Sequence, residues 1–389
     1  MRRYHPALVK HGFGHAQRSL LARLGAATAA LALAGACAAP RSSLPAADQA
    51  ALLQERRLQM ELAFQVQQER RQRLADLSWP LRRDGATLCA DKVTAGFGFS
   101  FDSSGRYEPG ERVAIQSALG VGRLPTVTTV VSGGPADHAD IRPGDVLTHV
   151  GRYRLSEGEA GVEQGYRWLA EFASGRPPYP AVPVRFERNA EAHVQELVPD
   201  VVCEYPVVLV ESDAINAYAD GSAAYLTNGM MRFTESDEEL QVVIAHELAH
   251  NIEGHLTDRQ KNMAVGGLLG LAADILLARA TGVNTGGVLT AAGLSAGAQA
   301  YSQDFEREAD YVGMYLLARA EVDTAEAARF WRRMAVEHTG SIKNDHRSTH
   351  PSTPERFVRL DATHEEITAK LAEGLPLLPN RKDEPEDGF

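Results

Sequence analysis

The stretch Ile244-Ala245-His246-Glu247-Leu248-Ala249-His250 constrains this chain most, because it is at once a core element and a set of metal donors. On an α-helix, residues four apart share a face, so His246 and His250 can offer two imidazoles to one metal ion. Glu247 stands beside them, placed to take a proton from a water held by that ion. Zinc suits such a site, since it accepts nitrogen and carboxylate ligands and keeps one position open. The helix is well marked. Ser236-Asp237-Glu238-Glu239 is a capping box with acids in the first turn. Leu240, Val243, Ile244, Leu248 and Ile252 follow at helical spacing, and Gly254 supplies a stop. A five-residue pattern also arises by chance, so the rest of the chain has to decide.

With 389 residues there is room for two or three domains, and a net charge of −11 argues against nucleic acid as a partner. Five basic residues and no acid precede Cys37, and Leu24 to Ala36 form a short apolar run. Residues 1–37 therefore have the form of an export signal. The run Leu33-Ala34-Gly35-Ala36-Cys37 resembles a bacterial lipoprotein signal, in which the cysteine becomes a lipid-bearing N-terminus and a membrane anchor. Ala34-Gly35-Ala36 equally fits ordinary signal cleavage; both readings export the chain. Ala38 after the cysteine points, by resemblance to sorted lipoproteins, to the outer membrane facing the periplasm. Cys89 and Cys203 then remain in an oxidising compartment, either bridged or as two separate buried thiols.

Residues 38–88 read as a tether and an amphipathic helix from Ala46 to about Leu77, rich in Gln, Glu, Arg and Leu and ended by Trp79-Pro80. Its apolar spacing is no sustained heptad, which favours packing onto the catalytic domain over a coiled coil. Residues 89–203 change to short β segments with Gly and Pro turns. Gly96-Phe97-Gly98-Phe99 is a glycine-hydrophobic loop entering a strand. Val130-Val131-Ser132-Gly133-Gly134-Pro135-Ala136, followed by Ile141-Arg142-Pro143-Gly144-Asp145-Val146-Leu147, resembles the centre of a PDZ domain. That resemblance implies a groove for polypeptide C-termini or extended segments, bounded by a helix over about Glu157 to Phe172 with Val162, Tyr166, Trp168 and Leu169 as its apolar residues. A small β domain without peptide binding is the alternative.

Residues 204–373 carry the ordered set Val207 to Val210 as a strand, Asn216-Ala217-Tyr218-Ala219 and Ala224 to Thr227 as a hairpin, the histidine helix, Glu306-Arg307-Glu308-Ala309-Asp310, Thr349-His350-Pro351 and Glu355-Arg356. In this order the motifs resemble the zinc metallopeptidase family that includes the HtpX heat-shock protease and the CAAX prenyl protease. The layout is nearest its periplasmic members of the BepA and LoiP type. The implied fold class is α+β: a mainly helical gluzincin-type domain with a small edge sheet, a preceding or inserted PDZ-like β domain and an N-terminal helix. The implied activity is zinc-dependent cleavage of misfolded or misassembled envelope proteins.

Three residues compete for the third ligand. His255 lies five positions after His250, whereas the metzincin pattern needs glycine and histidine three and six positions on, where Glu253 and Leu256 stand. His255 then reads as a solvated residue at the helix end. Of Glu306 and Glu308, the resemblance implies Glu306, with one Zn2+ held by His246, His250 and Glu306. Helical spacing agrees in part, since Glu306 and Asp310 share a face and Glu308 points elsewhere. Asp310 joins the catalytic set by accepting the free N–H of a ligating histidine. The alternative is a solvated acidic face. By the same resemblance His350 comes close to the metal, as an oxyanion donor or an occupant of its open position, and Arg356 does similar electrostatic work or pairs with an acid; a surface loop is the alternative for His350.

Met263 to Ala300 is rich in Ala, Gly and Leu, and the uninterrupted part, broken by Asp274, is shorter than the roughly twenty residues that span a bilayer. It reads as a helical hairpin beside the cleft, serving as a lid. Helices over Thr324 to His338 and Pro354 to Glu373 follow, and 374–389 reads as a disordered tail. The competing function is a PDZ-bearing chaperone or adaptor with a regulatory metal site, which would need no general base.

Overall fold

The computed structural model describes residues 42, 45–300, 302–337 and 354–382. The export segment with Cys37, and His350, lie outside the described residues. Compactness divides the chain after Glu55, and the site with all that positions it lies in the unit from Arg56 onward.

The first helix runs Gln49–Asp84, through Trp79-Pro80 and beyond the expected end at Leu77. Proline inside a helix removes one hydrogen bond and costs about 3 kcal/mol. Burial outweighs that here: Trp79 and Leu81 on either side of Pro80 are both in the core. Arg82 in the last turn donates to the Cys203 carbonyl. The helix braces two neighbours. Gln68 and Gln72 bond to Thr128, Thr129 and Val130 of a β sheet, while Arg73 reaches Asp237 and Ser236 at the start of the histidine helix.

The β region opens with strands β1 (Val93–Gly96) and β2 (Phe99–Asp102) and continues through β3 (Thr126–Val130), β4 (Val146–Val150), β5 (Tyr153–Arg154), β6 (Val182–Arg188), β7 (Glu191–Leu197) and β8 (Asp200–Cys203). A six-stranded sheet has the order β2-β3-β4-β6-β7 with β5 on β4, all pairs antiparallel. Val127, Leu147, Val150, Val184 and Phe186 alternate inward and pack against Val162 and Leu169 of helix Glu159–Phe172. β1 and β8 pair separately, and a Cys89–Cys203 disulfide closes the same end of the region. Of the two states open to these cysteines, the bridge is the one adopted.

The second sheet, in the order β10-β11-β9, joins β9 (Val207–Val210) parallel to β11 (Ala224–Thr227) and leaves β10 (Ala217–Ala219) on the edge. It packs on the histidine helix Asp237–Ile252, the glutamate helix Ser302–Arg319, and helices Ala325–Glu337 and Pro354–Glu373 around one core that includes Leu226, Leu240, Ile244, Leu248, Tyr315 and Phe330.

Two further expectations change. The apolar stretch around Asp274 is longer than expected. Helix His255–Thr281 is continuous over 27 residues, and by length and composition it is long and apolar enough to cross a membrane. Asp274 is instead the cap of the partner helix Val288–Gln299, accepting from Thr285, from the Leu289 and Thr290 N–H groups and from the Thr290 hydroxyl. Glycines 266, 270, 293 and 297 let the two backbones touch, so the insert is the expected helical hairpin, with Leu268, Leu269 and Leu276 exposed on its outside. The tail, in turn, is placed as far as residue 382. Leu377 packs on the core, Asn380 bonds to Tyr311 and Glu366, and Arg381 forms a two-pronged pair with Glu253.

Candidate metal centre

The histidine helix begins at Ser236, where the sequence places its start. Ser236 Oγ accepts from the Glu239 N–H at 3.2 Å, and the Glu239 carboxylate accepts from the Glu235 N–H at 2.7 Å. Every residue from Glu239 to Ala249 is buried, because this helix is enclosed rather than lying on a surface. Asn251 Oδ1 accepts from the Gly221 N–H at 2.8 Å, which ties the tip of the β10-β11 hairpin to the helix.

The glutamate helix crosses it closely at Gly313. A Cβ there would lie 3.3 Å from backbone atoms of Ala245 and His246, tighter than ordinary contact. This approach brings the donors together. His246 Nε2 and His250 Nε2 are 3.2 Å apart, and the two Glu306 carboxylate oxygens each lie 3.4 Å from one of them. All three donor atoms fall within 4.8 Å of one another, a set that could hold one cation. Two imidazoles and a carboxylate are a donor set that fits zinc. Glu247 is 1 % exposed on the same helix.

Asp310 lies on the far side of His246, its Oδ1 3.0 Å from Nδ1. Arg356, from helix Pro354–Glu373, holds Asp310 with two hydrogen bonds of 2.5 and 2.7 Å and rests 4.0 Å over the Trp331 ring. Of the two roles open to Arg356, pairing with an acid is the one its position serves. Burial works against the Asp310 carboxylate, but Arg356 and His246 outweigh it and its pKa is lowered. Burial also opposes a charged His246, and Asp310 and Glu306 outweigh it, raising its pKa to about 9. A metal cation at Nε2 would take that proton's place. The pKa of His250 is lowered, chiefly by burial, which suits a neutral ligand.

His255 is a correction. It is buried, not solvated, stacked on Phe305 with ring centres 4.7 Å apart, its Nδ1 2.9 Å from His250 Nδ1 and its Nε2 3.1 Å from Glu308. Gly254, in the left-handed conformation at φ +70°, turns the chain so that His255 folds back on the preceding helix. Glu308 points away from the donor set, as its helical offset required. Trp331, 5.0 Å from His246 and at a steep angle to it, was not foreseen. Its position in an amphipathic helix carries no local signal of the contact.

A second feature lies in the β region. Tyr166 stacks on Phe101 at 4.2 Å, and its hydroxyl bonds to the Phe101 N–H and carbonyl at 3.2 and 3.3 Å. It thus covers the open edge of β2. Beside it a cavity of about 670 Å³ is lined by the Gly96 to Phe99 turn, Leu169 and Ala173, Trp79 and Arg82, and β9.

Residues 187–364 match the model of peptidase family M48. A beta-barrel assembly-enhancing protease of Yersinia pestis is 33 % identical over 135 residues, which is 33 % of this chain and 27 % of that protein. Its counterpart in Escherichia coli K12 is 30 % identical over 132 residues, 32 % and 27 % of the two chains. The mitochondrial metalloendopeptidase OMA1 of Saccharomyces cerevisiae is 27 % identical over 168 residues, 41 % and 47 %. The chain thus spans from about a quarter to about half the length of these relatives. The matched segment contains the whole donor set, so the likeness to peptidase family M48 rests on the part of the chain that builds this centre.

Proposed function

We propose that this chain is a zinc-dependent metalloendopeptidase of the bacterial cell envelope that hydrolyses misfolded or misassembled proteins. The observation that carries the reading is the convergence of His246, His250 and Glu306 beside a buried Glu247. These three side chains are the proposed ligands. A zinc ion there would polarise the scissile carbonyl and acidify a water.

The chain's own groups do the rest. Glu247 takes the proton of the attacking water and returns it to the leaving amine. Asp310, fixed by Arg356, keeps the His246 proton on Nδ1 and leaves Nε2 for the metal. β10, an edge strand beside the histidine helix, offers backbone groups to an extended substrate. His350 is proposed as a donor to the carbonyl oxygen.

The envelope setting rests on the export segment with Cys37 as lipid anchor, and on relatives named for β-barrel assembly. The β region is proposed to be PDZ-like, with the cavity beside Gly96 to Phe99 as its polypeptide site. Purified protein should cleave casein. Glu247→Gln should bind as much zinc and lose activity by about 10²–10⁴-fold; equal activity in the two would remove Glu247 from the mechanism.

A further inference from the structure

The two histidines of the donor set are held from behind in different ways. Behind His246 stands the carboxylate of Asp310. Behind His250 stands another imidazole, His255, with Glu308 behind that. With His250 as a metal ligand, these contacts set where the protons lie. Two Nδ1 atoms 2.9 Å apart form a hydrogen bond only when one of them carries a proton and the other does not. A histidine that gives Nε2 to a metal is neutral and carries its proton on Nδ1. His250 must therefore donate, and His255 Nδ1 must be bare. A neutral His255 then has its proton on Nε2, 3.1 Å from a Glu308 carboxylate that can only accept. Each assignment forces the next, and the chain ends on a group with no proton to give back.

We infer that His255 and Glu308 form a relay that fixes the tautomer and ring orientation of His250, making both of them positioning residues for the metal centre. The rest of the geometry serves this. His255 is 4 % exposed and clamped by the Phe305 ring, so its own orientation is set by packing. Phe305 and Glu308 lie one turn apart on the helix that carries Glu306. One helix thus supplies a proposed ligand and the support for another. The hairpin helix that begins at His255 is joined to the metal centre through the same contact.

The inference rests on His250 being a ligand, and the test separates the two claims. Zinc affinity is measured by competition with a chromophoric chelator for wild type, His250→Ala, His255→Phe and Glu308→Gln. His255→Phe keeps a ring on Phe305 and removes both nitrogens. It should weaken zinc binding about 10–100-fold, and Glu308→Gln should weaken it less, since an amide oxygen still accepts. Loss of zinc in His250→Ala with unchanged affinity in His255→Phe would overturn the relay alone. Equal zinc binding in wild type and His250→Ala would overturn the ligand assignment beneath it. A neutron structure of the zinc-loaded wild type decides the matter even if His255→Phe does not fold. Deuterium is expected on Nδ1 of His250 and Nε2 of His255, and deuterium on Nδ1 of His255 would refute the relay.

Discussion

Replacing Arg356 by methionine probes the support of the centre most sharply. The guanidinium and Asp310 are both enclosed, at 2 % and 7 % exposed, and are joined by two short hydrogen bonds. Methionine keeps much of the alkyl volume over Trp331 and removes the charge. The Asp310 carboxylate is then left in the core with His246 as its remaining partner among the described residues. Breaking a buried pair from one side costs about 3–5 kcal/mol, because the surviving charge stays desolvated. The lost stacking on Trp331, about 0.5–2 kcal/mol, is part of that figure. Removing both charges in Arg356→Met/Asp310→Asn leaves no orphan, so the double variant should be clearly less damaged than the two single losses combined. Urea unfolding of metal-stripped protein measures all four forms. A loss below about 1 kcal/mol in Arg356→Met, or strict additivity in the double variant, would refute the claim that Arg356 is there to neutralise Asp310.

Two further outcomes follow from other parts of the fold. The Cys89–Cys203 bridge closes a separation of 114 residues, so replacing both cysteines by serine should cost about 5 kcal/mol by loop entropy; a reducing agent should then no longer affect stability, as thermal melts with and without dithiothreitol would show. Tyr166→Ala uncovers the Phe101 backbone, and a peptide with an apolar C-terminus should bind about tenfold more tightly, the worth of roughly one hydrogen bond. Fluorescence polarisation checks this, and unchanged affinity would mean that the β2 edge is not a peptide site.

What the sequence discloses and what it hides divide along contact range. His246, His250 and Glu247 are legible because four-residue spacing on a helix is a local rule, and the same rule pairs Glu306 with Asp310. The capping box at Ser236 and the β10-β11 hairpin are legible for the same reason. His255 was misread because the end of a helix is usually wet; the left-handed Gly254 and the ring of Phe305, 50 residues further on, bury it instead. Trp331 and Gly313 act through helix crossings that no local pattern announces. Pro80 looked like a helix end because proline breaks isolated helices, and Asp274 looked like the end of an apolar run because a carboxylate is costly among apolar side chains. Burial of Trp79 and Leu81 carries the first, and a full set of donors from the facing helix satisfies the second.

Zinc-edge X-ray absorption on the purified protein is the most direct test of the metal centre. About one zinc per chain is expected, with nitrogen and oxygen neighbours at about 2.0–2.2 Å, the multiple scattering of two imidazoles and no sulfur. That signal should vanish in His246→Ala. A chain that binds no zinc, or holds it equally well without His246, would contradict the account at its base.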